Sequence, residues 1–258
     1  MHPLRELAEM ATYLRYTLTM GNRDKSKDFL DRVTPDNPPV LLLHGFFGTR
    51  GATFPMELRL RRDNFVVFAL NLGVFNVGDI RSSALKIHET IQSILREVDI
   101  GKIDIVGHSM GGLIGLYYVK KLGGHRFVRK MLTMGTPHDG TWLALLGRMT
   151  MGLFAPSTRQ MIPNSLFLRE LAAEPMPSNV DLFTIAGTQD LVVPPERSLH
   201  DGATHIYLRC GHAALQTSHK VYGVVREILL DNDLSTTDTL QRVDAHTFVE
   251  REFSDDTP

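Results

Sequence analysis

The stretch Ile103–Gly112, IDIVGHSMGG, restricts the possible folds more than any other part of the chain, because it marks a place where a strand hands over to a helix. Ile103, Ile105 and Val106 form a short β-branched run suited to a buried parallel strand, with Asp104 as its one polar interruption. Gly107, Ser109 and Gly111 then spell G-x-S-x-G. A serine on so sharp a turn is held in a strained backbone conformation, and a side chain two residues to either side would collide with the neighbouring strand or helix. Leu113, Ile114, Leu116, Tyr117 and Val119 recur at helical spacing, and Lys120, Lys121, Gly123 and Gly124 supply a basic last turn and a stop. Ser109 is thereby a candidate nucleophile at a strand's carboxyl end, above a helix N-terminus.

At 258 residues and 43% hydrophobic content, the chain suits one large α/β domain. Lys and Arg total 28 against 29 acids, so no net field draws it to nucleic acid or an anionic membrane. Cys210 is the sole cysteine, which excludes an internal disulfide, and no Cys/His metal spacing exists. Arg5, Glu6, Glu9 and Arg15 interrupt the first residues, which therefore lack the apolar core of a secretion signal. No run approaches the ~20 apolar residues of a membrane span. The expectation is a soluble, cytoplasmic protein with no stable membrane span, leaving room for transient contact with a lipid interface.

Residues 1–39 read as a helix and linker. Leu4, Leu7, Ala8, Ala11, Leu14 and Leu18 share one helical stripe, expected to pack on the domain, and a charged segment ends in DNPP. Val40–Leu43 is a strand that feeds His44-Gly45-Phe46-Phe47-Gly48-Thr49, whose glycines let backbone N–H groups face an open site, as an oxyanion hole requires. The donors would be the N–H of Phe46 and of Met110, with Phe47 lining the cleft. Further strands are expected at 65–70, 128–134, 180–186 and 204–208, and helices at 80–98 and 219–230. Residues 142–171 are apolar but broken by Gly147, Gly152, Pro156 and Pro163, which predicts a small cap of short helices. Within it Trp142, Leu146, Met149 and Leu153 are candidates for an acyl-chain groove. Residues 231–258 form a polar, acidic tail expected to be partly disordered, or a short arm if Leu240, Val243, Phe248 and Val249 dock.

A serine needs a base to take its proton and an acid to orient that base. Asp190 and His212 each follow an expected strand, and the order Ser109, Asp190, His212 fits a nucleophile on such an elbow. Asp139 is the competing acid; His200 precedes the last strand, His205 lies within it and His219 starts the final helix, so only His212 lies in the loop after that strand. His44 and His108 flank catalytic turns and are read as ordering loop backbone. Cys210 is read as a small buried hydrophobe.

With HGFxG, GHSMGG and GTPHxGT together, the chain from about Val40 to Leu230 resembles the α/β-hydrolases, more narrowly bacterial serine esterases and lipases. The resemblance implies Ser109 as nucleophile, Asp190 from GTxDxxVPP, His212 from GHxxL, and Phe46 with Met110 as oxyanion donors. It places the Gly135–Thr141 motif at the entry to the cap rather than in catalysis. It also implies a mostly parallel sheet of about six strands with helices on both faces. The expected activity is hydrolysis of a small-molecule or lipid-like carboxylic ester with no cofactor and no metal. Thioester hydrolysis or acyl transfer on the same residues, and a non-catalytic binding role, remain open alternatives.

Overall fold

A computed structural model describes residues 3–21, 34, 37–97, 101–151, 155–237, 239–244 and 246–251. Six apolar runs become strands: β1 (Val40–Leu43), β2 (Val67–Ala69), β3 (Ile103–His108), β4 (Val128–Met134), β5 (Asp181–Gly187) and β6 (Thr204–Leu208). Two more, β7 (Leu240–Asp244) and β8 (Thr247–Glu250), come from the polar tail. Together they form one eight-stranded sheet in the order β2-β1-β3-β4-β5-β6-β8-β7. β8 runs parallel to β6, and β7 closes the edge antiparallel to β8.

The expectation of about six strands is corrected to eight. The reason is local: Leu240 and Phe248 are buried, whereas the rest of β7 is exposed and Val243 is 59% exposed. An edge strand anchored by one apolar residue carries no period-two signal, and its Gln241, Arg242 and Asp244 leave a polar edge.

Helices cover both faces: α1 (Pro3–Met20), α2 (Phe54–Arg62), α3 (Ile80–Glu97), α4 (Met110–Lys121), α5 (Trp142–Met151), α6 (Pro156–Gln160), α7 (Leu166–Ala172), α8 (Ala214–Thr217) and α9 (His219–Leu229). Successive strand residues point to opposite faces. Leu41, Leu43, Phe68 and Ile105 therefore pack with Ile87 and Ile91 of α3 and Leu113 and Leu116 of α4. Val40, Leu42, Val106 and Ile206 pack instead with Met56 and Leu60 of α2 and Val221 and Val225 of α9. A strand buried on both faces is apolar over most of its length, which is why these runs are legible as strands. Val98, expected to end α3, lies outside the described residues.

The first helix forms but packs the other way round from expectation. Ala8, Ala11, Leu14 and Leu18 face solvent, while Tyr13 and Thr17 are buried. Polar contacts decide this. The Thr49 hydroxyl donates to the Thr17 carbonyl at 2.7 Å, and the Gly51 N–H donates to the Gly21 carbonyl at 2.8 Å. Among the described residues no helix is long and apolar enough to cross a membrane.

The segment after β4 is short helices, as its broken composition implies. α6 is tied to the start of α3: Gln160 accepts from the Ile80 N–H and donates to Asp79, both at 2.8 Å. Glu170 of α7 pairs with Arg81 and accepts from Tyr117. α5 turns Trp142, Leu143 and Met149 outward.

Asp104, the polar interruption of β3, is 1% exposed and grips Arg129 of β4 through two bonds, at 3.0 and 2.7 Å, while accepting the Lys130 N–H at 3.1 Å. Arg129 keeps solvent access. Asp104→Ala is therefore expected to lower unfolding free energy by about 3 kcal/mol, the lower end for breaking a buried ion pair. Urea unfolding of the two proteins measures the difference.

Candidate active site

Ser109 stands between β3 and α4 with φ 53° and ψ −128°, a conformation that L-residues rarely adopt. Close packing of main chain holds it there. A Cβ on Gly107 would stand 2.6 Å from the Gly112 Cα, and one on Gly111 only 2.4 Å from the Leu43 carbonyl oxygen. The Ser109 N–H donates to the Met134 carbonyl at 2.8 Å, and the Thr136 hydroxyl donates to the Ser109 carbonyl at 3.0 Å. β4 and the loop after it thus pin both ends of the strained residue. Met110 follows as the first residue of α4 and is fully buried.

The loops after β5 and β6 are sewn together: Thr188 N–H donates to the Leu208 carbonyl at 2.8 Å and Gln189 N–H to the Cys210 carbonyl at 3.2 Å. Asp190 Oδ1 accepts the N–H groups of Val192 and Val193, each at 2.8 Å, and Oδ2 meets His212 Nδ1 at 2.6 Å. A carboxylate whose oxygens are filled in this way has no freedom to turn. With Nδ1 on the carboxylate, the free imidazole nitrogen is Nε2. Gly135, at φ +55°, brings β4 against this pair: a Cβ there would lie 3.1 Å from both Asp190 Oδ2 and His212 Nδ1. Sequence reasoning assigned Gly135 only to the entry of the cap. Its signal was a glycine directly after a strand.

His108 connects serine and histidine. Its Nε2 donates to the His212 carbonyl at 3.0 Å, and the two rings stand 4.6 Å apart. Tyr13 of α1 packs against the other side of His108, with ring centroids 6.1 Å apart. No spacing rule in the sequence pointed to Tyr13. His44 bonds Gly45, so both flanking histidines order loop backbone. Gly45 approaches the serine closely; a Cβ there would be 2.8 Å from Ser109 Cβ and 3.3 Å from its Oγ. Phe46 is partly buried against the core, and Phe47 lies edge-on to it at 4.6 Å, half-exposed with φ +56°.

The rivals are engaged elsewhere. His205 Nδ1 meets the Thr184 hydroxyl at 2.8 Å, and His200 Nδ1 donates to the Asp201 carbonyl at 2.7 Å. Asp139 lines a separate cavity of about 1020 Å³ with Lys120, His138 and His200, which none of Ser109, Asp190 and His212 lines. Burial pushes the Cys210 thiol up to about 12, so it is inert. Trp142 is 62% exposed under Arg197, 5.6 Å from its ring, and Met149 is 78% exposed. Leu146 belongs to the same helix, and Leu153 lies outside the described residues. Among the described residues no group of three or more His, Cys, Asp or Glu is arranged to hold a metal ion.

A family model described as the alpha/beta hydrolase fold matches residues 38–162. The propeptide form of Bacillus licheniformis lipase BlEst2 is similar with a TM-score of 0.65 at 18% identity, covering 78% of this chain and 52% of that one. This chain thus spans about half the length of that protein; against the mature form the TM-score is 0.62 at 18% identity, with coverage of 77% and 94%. Aspergillus fumigatus lipase B gives 0.68 at 18% identity, covering 92% of this chain and 71% of that one. The chain has the α/β-hydrolase fold.

Burial keeps three histidines neutral: His44 is pushed down to about 4, and His108 and His138 fall well below the ordinary histidine range. The unfolded chain protonates each near pH ~6.5, so below that pH it binds more protons than the folded chain. Their neutral burial is tolerated in full above about pH 6.5 and increasingly opposes folding as pH falls toward 4. Each histidine steepens the decline by up to about 1.4 kcal/mol per pH unit. Urea unfolding at pH values from neutral to 5 is expected to show this slope; a flat profile contradicts it.

Proposed function

On this α/β-hydrolase scaffold, we propose that the chain is a carboxylic ester hydrolase working through an acyl-serine intermediate. The observation that carries the reading is the 2.6 Å pairing of Asp190 with His212, whose ring stands 4.6 Å from that of His108, the residue before a serine held at φ 53° and ψ −128°. A strained serine, an oriented imidazole and a buried acid are the groups that nucleophilic acyl transfer needs.

In the proposed reaction His212 Nε2 takes the Ser109 proton as Oγ attacks the ester carbonyl. The negative charge that develops on the carbonyl oxygen is received by the N–H groups of Phe46 and Met110. The tetrahedral intermediate collapses as His212 returns the proton to the departing alcohol. Water, deprotonated by the same imidazole, then attacks the acyl-serine and releases the acid. Asp190 holds the imidazole in the tautomer that keeps Nε2 free and stabilises its cation. Phe47, whose ring lies 6.1 Å from that of Phe75, offers the acyl chain an apolar surface next to the serine. The outward-facing Trp142 and Met149 extend it only where the substrate reaches α5. The lipases among the similar structures support an acyl ester as substrate.

A fluorophosphonate probe is expected to label the native protein and not Ser109→Ala. Asp190→Asn is expected to lower kcat on p-nitrophenyl esters about 10⁴-fold, the loss seen when the equivalent acid is neutralised in a serine protease. Product analysis with a competing alcohol separates hydrolysis from acyl transfer. An unlabelled native protein overturns the reading.

A further inference from the structure

The proposed chemistry needs the Phe46 N–H to hold one direction while charge develops beside Ser109, yet Phe46 sits in an irregular loop, where no ladder of hydrogen bonds fixes a peptide plane. The described residues include no cis peptide, so the bond joining Gly45 to Phe46 is trans and its N–H points opposite to its C=O. Whatever anchors the Gly45 carbonyl therefore aims the Phe46 amide. That carbonyl accepts from three donors: the Gly48 N–H at 3.2 Å, His44 Nδ1 at 3.2 Å and Asn76 Nδ2 at 3.4 Å. The first two belong to the loop itself and move with it. Asn76 comes from the separate loop after β2, and its Nδ2 also donates to the His44 carbonyl at 3.0 Å.

We propose that Asn76 is a positioning residue, whose side-chain amide clamps the carbonyls of His44 and Gly45 and so aims the Phe46 N–H at the substrate carbonyl. This rests on reading Ser109 as the nucleophile. Carbonyls only accept, so the NH₂ end must face them and the assignment of Nδ2 and Oδ1 follows from chemistry. Asn76 is 1% exposed, and its Oδ1 is buried with no hydrogen-bond partner among the described residues. An apolar side chain of the same size would avoid that unmet acceptor but could not donate to the two carbonyls, so the cost of Oδ1 is set against the two bonds of the NH₂ end. The backbone is strained in the same place: Phe75 and Asn76 take φ +54° and +48° in succession. That pair of left-handed residues sends Phe75 outward, 39% exposed, and leaves Asn76 inside; asparagine tolerates the conformation better than most residues.

The test uses the full chain with Asn76→Gly and Asn76→Asp. Glycine accepts the left-handed conformation freely, so that variant keeps the turn while removing the clamp. Aspartate keeps the size but turns an acceptor toward two carbonyls. Complete loss of an oxyanion donor costs ~10²- to 10³-fold in rate, and an amide left mis-aimed part of the time is expected to lose about 10- to 100-fold in kcat, with KM within about twofold. Affinity for a trifluoromethyl ketone, which forms a tetrahedral adduct on the serine, is expected to fall by the same factor, while binding of the matching unreactive alcohol stays unchanged. A purely structural asparagine would move the thermal midpoint and leave the ketone-to-alcohol ratio alone. Retention of kcat and ketone affinity in both variants, a change confined to KM, or loss of the fold in both overturns the inference. A native protein without Ser109-dependent labelling instead overturns the functional reading, and this inference with it.

Discussion

The carbonyl oxygens of Leu43 and His44 stand 2.4 and 2.8 Å from where a Cβ on Gly111 would be, and Gly107 lies equally close to the main chain of Gly112. This contact of bare backbone with bare backbone, where β1, β3 and α4 meet, is what forces Ser109 into a conformation it would not choose. Any side chain at the flanking glycines would push α4 off the strand ends and release the turn. The same approach draws the loop after β1 against the serine, so candidate nucleophile and candidate oxyanion donors are set by one packing event.

Around that turn the molecule spends buried polar groups on orientation. Three histidines at or just beyond the strand ends divide the work: His44 bonds the Gly45 carbonyl, His108 the His212 carbonyl, and of the three only His212 faces a carboxylate. The first two are kept neutral by burial, which suits groups that must hold a carbonyl and not exchange protons. Tyr13 of α1 backs His108, and its buried hydroxyl is pushed up to about 12, so it too stays neutral. A dry setting of fixed dipoles strengthens each of these bonds and makes each unmet group costly.

Legibility in the sequence followed the strength of the local signal. β1 to β6 each carry a run of apolar residues because helices cover both faces of the sheet, and those runs located them. β7 and β8 escaped because each is anchored by a single buried residue, Leu240 and Phe248. α1 is legible as a helix, but Ala8, Ala11, Leu14 and Leu18 of its apolar stripe look outward while Tyr13 and Thr17 are inside, since hydrogen bonds to the loop at Thr49–Gly51 outweigh them. Among site residues, Ser109, Asp190 and His212 each follow a strand and could be named in advance. Gly135 left only the mark of a glycine directly after a strand, and Asn76, which acts through partners some 30 residues away, left none.

From its sequence alone, the chain determined where the strands run, where the turn with the strained serine falls, and which residue types stand at the strands' carboxyl ends. Those are local properties, written in hydrophobic periodicity and in glycine's freedom from a side chain. Only the tertiary structure decided which acid reaches which imidazole, which face of the first helix is buried, and which amide grips the loop after β1. Those choices depend on distances between segments 20 to 160 residues apart, such as the 22 residues from Asp190 to His212 or the 80 from Ile80 to Gln160. No local propensity encodes such distances, because they are fixed only when the sheet closes and its loops compete for the same few hydrogen-bond partners.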